Sequence, residues 1–158
     1  MNPIAQQVQD VIYSLGFSNE VIEFEKPTRT AEEAASRVNC HLSQIVKSLV
    51  FEGVQSGRGI LVLTSGVNRV DASKLEKIIG EKVKKANPEF VLESSGYSIG
   101  GIPPIGLKID FIEFMDRDLM DCKTLWAAAG TPNAVFQVSP QDLLTMSRAV
   151  IEDIKEEK

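Results

Sequence analysis

Apolar residues recur at helical spacing near the start of the chain, at Ile4, Val8, Val11, Ile12 and Leu15, with Gly16 as a stop. Val21–Phe24 reads as a short strand. Thr30-Ala31-Glu32-Glu33 is a capping box, the Thr30 hydroxyl bonding a free amide while Glu33 reaches back, so a helix through Ala34, Ala35 and Val38 should follow. Ile45–Phe51 is apolar on both faces, as an interior strand of a covered sheet would be, and Ile60–Leu63 repeats the pattern after a turn. Asp71 can cap a helix holding Leu75, Ile78 and Ile79 that Gly80 closes. Asn87-Pro88 starts another, ending at Gly96. Ile109–Phe114, Leu125–Ala128 and Ala134–Val138 read as strands, and Ser139-Pro140 opens a last helix running to Val150. The 152–158 end is expected to fray.

This order of elements predicts one domain over residues 1–158, of α+β or mixed α/β class, with a mixed, partly rolled sheet flanked by helices. A length of 158 residues is enough to bury a real core. No apolar run is long enough to span a bilayer, and Met1-Asn2-Pro3-Ile4 lacks the basic and apolar regions of a signal peptide. A cytoplasmic protein is the expectation, with Cys40 and Cys122 as reduced thiols. The net charge of −5 argues against a protein that grips nucleic acid along its phosphates. The lysines 74, 77, 82, 84 and 85 are interleaved with Glu76 and Glu81 and read as a solvated face.

Several chemistries are hard to build from these residues. The single histidine, His41, lies beside Cys40, and adjacent residues rarely point the same way, which weighs against a triad. One histidine and two distant cysteines match no metal-ligand spacing, and no phosphate-binding glycine motif occurs, so no metal or cofactor is expected. Asp116, Asp118 and Asp121 read as a solvated turn.

Two features remain. Lys47 shares a strand face with Ile45, Leu49 and Phe51, while Ser48 takes the other face with Val46 and Val50. A lone ammonium in such company either snorkels to water or enters a pocket for an anionic or carbonyl-bearing ligand. The stretch Gly100-Gly101-Ile102-Pro103-Pro104-Ile105-Gly106 is an irregular, stiffened loop. It is either a wide connection or a wall whose main-chain amides hold a developing oxyanion.

Five segments in order resemble the YbaK/prolyl-tRNA synthetase editing-domain family over roughly residues 20 to 145. They are Thr30–Ala35, Gln44–Phe51, Asn68–Asp71 with Lys74-Leu75, Gly96–Gly106, and Ala127–Gly130 through Ser139-Pro140. The resemblance implies a free-standing hydrolase that clears mischarged aminoacyl-tRNA, a small residue such as alanine or cysteine on tRNA for proline. It implies that Lys47 is the essential side chain and that Gly100 and Gly101 hold the aminoacyl carbonyl, the Gly100–Pro104 element forming the wall. Water and a ribose hydroxyl of the substrate would replace an enzyme nucleophile. Ser48, Ile102, Pro103, Pro104, Gly130 and Asn133 would line the substrate pocket. Partners would be the acceptor end of tRNA and, as an open arrangement, an aminoacyl-tRNA synthetase or a second copy of the chain, without a membrane. A non-catalytic aminoacyl-tRNA or synthetase binding module, or a small acyl-ester hydrolase, stands beside the deacylase at this point.

Overall fold

A computed structural model describes residues 1–157. The helices are α1 (Pro3–Ser14), α2 (Ala31–Val38), α3 (Ala72–Ile79), α4 (Pro88–Ser95) and α5 (Pro140–Met146). The strands are β1 (Val21–Glu23), β2 (Ile45–Gly53), β3 (Gly59–Ser65), β4 (Val83–Lys85), β5 (Ile112–Asp116), β6 (Leu125–Ala128), β7 (Ala134–Val138) and β8 (Val150–Glu152). Short 3-10 turns precede β2 and follow β5. All eight strands form one mixed sheet in the order β1-β7-β6-β2-β3-β5-β8, with β4 also on β2. β2 runs antiparallel to β3, and β3 lies parallel to β5.

Alternation along β3 explains the layers. Leu61 and Leu63 point to a core shared with Ala5, Val8 and Ile12 of α1, Val91 of α4, and Leu143 and Met146 of α5. Ile60 and Val62 point the other way, to Leu75 of α3 and to Ile154. A smaller cluster seats Ala34 and Ala35 of α2 on Ile45. Every residue of β3 is buried, and each such aliphatic side chain contributes about 1.5–3 kcal/mol by leaving water. The expected mixed sheet flanked by helices is the observed fold.

Local signals set most boundaries. The Asn2, Thr30, Asp71, Asn87 and Ser139 side chains each accept a main-chain N–H at a helix start. Gly80 and Gly96 end α3 and α4 in the left-handed region, at φ +87° and +86°. The Thr30 hydroxyl accepts from Glu33 N as expected, but Glu33 reaches back one residue further, to the Arg29 N–H.

Three expectations need correction. The last helix stops at Met146, and Val150–Glu152 is a strand parallel to β5. The strand expected over Ile109–Phe114 is displaced to Ile112–Asp116. The tail expected to fray from 152 is pinned: Ile154 is buried, its carbonyl accepts from Asp71 N, and Glu156 N donates to the Arg69 carbonyl. A single apolar residue, Ile154, anchors that segment against α3; Lys158 lies outside the described residues.

Candidate functional site

The site begins where β2 loses a neighbour. One edge of β2 is paired with β3 from Val46 to Glu52. The other pairs with β6 only at Ile45 and Val46, and with β4 only from Phe51 to Gly53. Between those two pairings the strands part. A cavity of about 270 Å³ opens there, with Lys47, Ser48 and Leu49 on one wall. Trp126 and Ala128 of β6, the Thr28–Ala31 approach to α2, Ile99-Gly100, Ile102 and Thr131-Pro132 complete it.

Lys47 is half-buried, and its Nζ donates to the Asn68 main-chain oxygen at 2.6 Å. Asn68 is itself fixed, since its Nδ2 donates to Asp116 Oδ2 at 2.8 Å and to Asp118 Oδ2 at 2.9 Å. Asp116 is 1 % exposed and also accepts from the Ser65 and Asp118 amides. Lys155 Nζ meets Asp118 at 2.8 Å. This corrects the reading of Asp116 and Asp118 as a solvated turn: Asp116 is a buried post that holds the loop holding Lys47. Burial lowers the Lys47 pKa below the ordinary lysine range; Glu32 opposes that shift, Arg69 adds to it, and Asp116 opposes it. The ammonium is thus neither fully solvated nor neutralised by a carboxylate in contact.

Ser48 lies on the opposite face of β2 from Lys47, as strand alternation requires, yet both line the cavity because it passes through the gap between β2 and β6. The Ser48 Oγ is buried without a hydrogen-bond partner, and so is the Oγ1 of Thr64, which pairs with Lys47 across the ladder.

The glycine loop divides in two. Gly100 adopts φ +95° and lines the cavity, as does Ile102. Gly101 does not line it, and its N–H donates to the Ser98 carbonyl at 3.1 Å, so it is not a free oxyanion donor. Gly101 instead seals the wall: its carbonyl accepts from Gly130 N at 2.8 Å, and a Cβ there would lie 2.7 Å from the Gly130 oxygen. Pro103 and Pro104 are buried behind the wall rather than on its surface. Gly130 is also set back, at φ +98° against Ile4 and Val8 of α1. Asn133 is a tether, its Nδ2 donating to the Phe24 oxygen at 3.2 Å. These four were expected to line the pocket and do not: Pro103 and Pro104 are buried, and Gly130 and Asn133, in the turn after β6, direct their N–H groups to the Gly101 and Phe24 carbonyls.

His41 caps the 3-10 turn before β2, its Nδ1 accepting from Ser43 N. Among the described residues no group of three or more His, Cys, Asp or Glu side chains could hold a metal ion, and no helix is long and apolar enough to cross a membrane. Sequence reasoning missed Arg29, Trp126 and the alanines of β6 as lining, although the Thr30 capping signal and the Ala127–Gly130 segment marked those two edges.

The sequence profile of the aminoacyl-tRNA editing domain matches residues 25–146. The uncharacterized protein YwhH of Bacillus subtilis is 35% identical over 129 residues, covering 82% of this chain and 82% of that one. An Enterococcus faecalis protein provisionally named Cys-tRNA(Pro)/Cys-tRNA(Cys) deacylase EbsC is 25% identical over 126 residues, 79% of this chain and 76% of that one. A crystal structure provisionally described as a trans-editing enzyme for prolyl-tRNA synthetase superimposes with a TM-score of 0.94 at 41% identity, covering 99% of each chain.

Proposed function

The chain belongs to the aminoacyl-tRNA editing domain family, and from that premise we propose that it is a trans-acting deacylase that hydrolyses the ester of mischarged aminoacyl-tRNA. One observation carries the reading. Lys47, Ser48 and Gly100 meet around a single cavity that opens inside a sheet, with the Lys47 ammonium half-buried and held by a carbonyl. Its volume of about 270 Å³ lies below the ~300–1,000 Å³ that suits drug-sized ligands. That size suits a single aminoacyl group rather than the whole terminal nucleotide. The provisional name of EbsC supports cysteine and tRNA for proline as the first pair to test.

In this reading the terminal adenosine lies at the cavity mouth and the ester carbonyl faces Gly100. Water attacks the carbonyl carbon, with the free ribose hydroxyl of the substrate assisting. The tetrahedral oxyanion is held by the Gly100 N–H, and the bond to the ribose oxygen then breaks, releasing free amino acid and a ribose hydroxyl. One such donor is worth on the order of 100- to 1,000-fold in rate. Lys47, on the β2 wall of the cavity, positions the terminal nucleotide through its ammonium. The net charge of −5 leaves little general affinity for phosphates, so recognition centres on the acceptor end and a synthetase would assist delivery in the cytoplasm.

A panel of charged tRNAs incubated with the wild-type chain and with Lys47→Ala tests this. Release of alanine or cysteine by the wild type and its loss in the variant supports the deacylase. Protection of the ester identifies a binding module, and equal rates on simple aminoacyl esters identify a general acyl-ester hydrolase.

A further inference from the structure

The loop that holds Lys47 is held in turn by a segment far along the chain. Asn68, whose carbonyl accepts from Lys47 Nζ at 2.6 Å, directs its Nδ2 to two carboxylates, Asp116 at 2.8 Å and Asp118 at 2.9 Å. Two like charges converging on one amide repel each other and are stabilised by a nearby cation. Lys155 supplies it. Its Nζ meets the same Asp118 Oδ2 at 2.8 Å, and among the described residues no other cation pairs with either carboxylate. The bonds from Lys155 and then from Asn68 hold the Asp118 carboxyl below the usual carboxylate range. The main chain of this segment grips the same loop. Val70 and Lys155 form an antiparallel bridge, Asp71 N donates to the Ile154 carbonyl at 2.8 Å, and Glu156 N donates to the Arg69 carbonyl at 2.8 Å. Those bonds and the buried Ile154 side chain already pin the segment, so the reach of the Lys155 side chain to Asp118 calls for a separate reason.

We propose that Lys155 is a positioning residue for Lys47, acting through Asp118 and Asn68. The line is continuous: Lys155 to Asp118, Asp118 to the Asn68 side chain, and the Asn68 carbonyl to Lys47. Without the Lys155 charge, Asp118 turns to water and Asn68 keeps one of its two carboxylate partners. The Asn68 carbonyl then no longer fixes the Lys47 ammonium on the cavity wall. Lys155 does not itself line the cavity, so it acts on the reaction only through that line. It also lies beyond Met146, where the editing-domain match ends, so this support comes from outside the matched residues. The inference rests on the deacylase reading, which gives Lys47 its place in the reaction.

Turnover and the state of Lys47, read separately, test it. Lys155→Met keeps an apolar stem and removes the charge. Its single-turnover rate on alanyl- or cysteinyl-tRNA should fall roughly three- to fivefold, as a small misplacement of a positioned group does. Lys155→Arg should restore most of that loss, while Lys74→Ala, which loosens the segment from outside, should keep the parental rate. In the Lys47→Ala background the Lys155→Met change should have no further effect, because the two residues act as one unit. Nuclear magnetic resonance of lysine labelled at the ε-carbon reads the same coupling without turnover. The Lys47 signal, identified by its loss in Lys47→Ala, should move in Lys155→Met and stay in place in Lys74→Ala. A parental rate in Lys155→Met, an unmoved Lys47 signal, or an equal loss in the Lys47→Ala background overturns the proposal. A moved signal in a chain whose wild type hydrolyses no charged tRNA sustains it and removes the deacylase reading instead.

Discussion

Lys74 and Lys47 each donate to a main-chain carbonyl, Lys74 to Lys155 at 2.8 Å and Lys47 to Asn68 at 2.6 Å, yet their surroundings are opposite. Lys74 also meets Glu157 at 2.8 Å and Asp153 at 3.2 Å, and those carboxylates raise its pKa. Lys47 has no carboxylate in ion-pair contact among the described residues, and burial lowers its pKa. The first arrangement is a solvated clasp on the C-terminal segment, of the kind that salt screens. The second keeps a cation short of water and short of neutralisation, which costs stability and persists where position matters to function. The contrast separates a lysine that closes the fold from one that equips a site.

Substitutions can break or sharpen that contrast, starting with Lys47→Ala. Deacylation of the cognate charged tRNA should fall by about 100-fold or more, while thermal unfolding is not lowered; a variant with parental rates would make Lys47 another surface lysine. Next, Asn68→Ala strips Asp116 of a buried donor and frees the loop whose carbonyl holds Lys47. Urea unfolding should report a loss of about 1–3 kcal/mol, and single-turnover rates should drop by roughly tenfold. Gly101→Ala drives a Cβ to 2.7 Å from the Gly130 oxygen. Overpacking of this kind costs about 1–3 kcal/mol, and the displaced wall should raise KM more than it lowers kcat.

A pH series gives a smaller effect with a definite sign. Burial lowers the Lys47 pKa, so the native state binds that proton more weakly than the unfolded chain. Its contribution to stability therefore rises with pH between the depressed native value and the ordinary lysine value. Catalysis that needs the cation moves the other way, and the wild-type rate, corrected for spontaneous ester hydrolysis, should decline at a lower pH than free lysine would set. A decline that persists in Lys47→Arg at the same pH would belong to another group. Lys74→Ala should change least: deacylation stays at the parental rate, while amide exchange at Asp71 and Glu156 quickens as the tail loosens.

Much of the fold was legible along the chain. Caps at Thr30, Asp71, Asn87 and Ser139 and stops at Gly80 and Gly96 are local, because a helix end needs only a nearby acceptor or a left-handed residue. β4 and β8, at three residues each, escaped because neither carries a pattern long enough to distinguish strand from loop. Pinning of the tail depends on Ile154 finding α3, a contact far from its own neighbours in sequence.

Within the site, the residue types of Lys47 and Gly100 marked them out, and both line the cavity. Gly101, Pro103, Pro104, Gly130 and Asn133 shared the same motifs but serve the wall from behind. A motif names which residues travel together, not which surface each turns outward.

By itself, the sequence determined the elements, their caps, the two-faced interior strands and the presence of one cation among apolar neighbours. Only the tertiary structure decided that β6 leaves β2 after two paired residues, that Ser48 shares a cavity with Lys47, and that a buried Asp116 stands behind both Asn68 and Lys47. Local preferences are written in neighbouring side chains, whereas the end of a strand pairing depends on where two distant segments diverge.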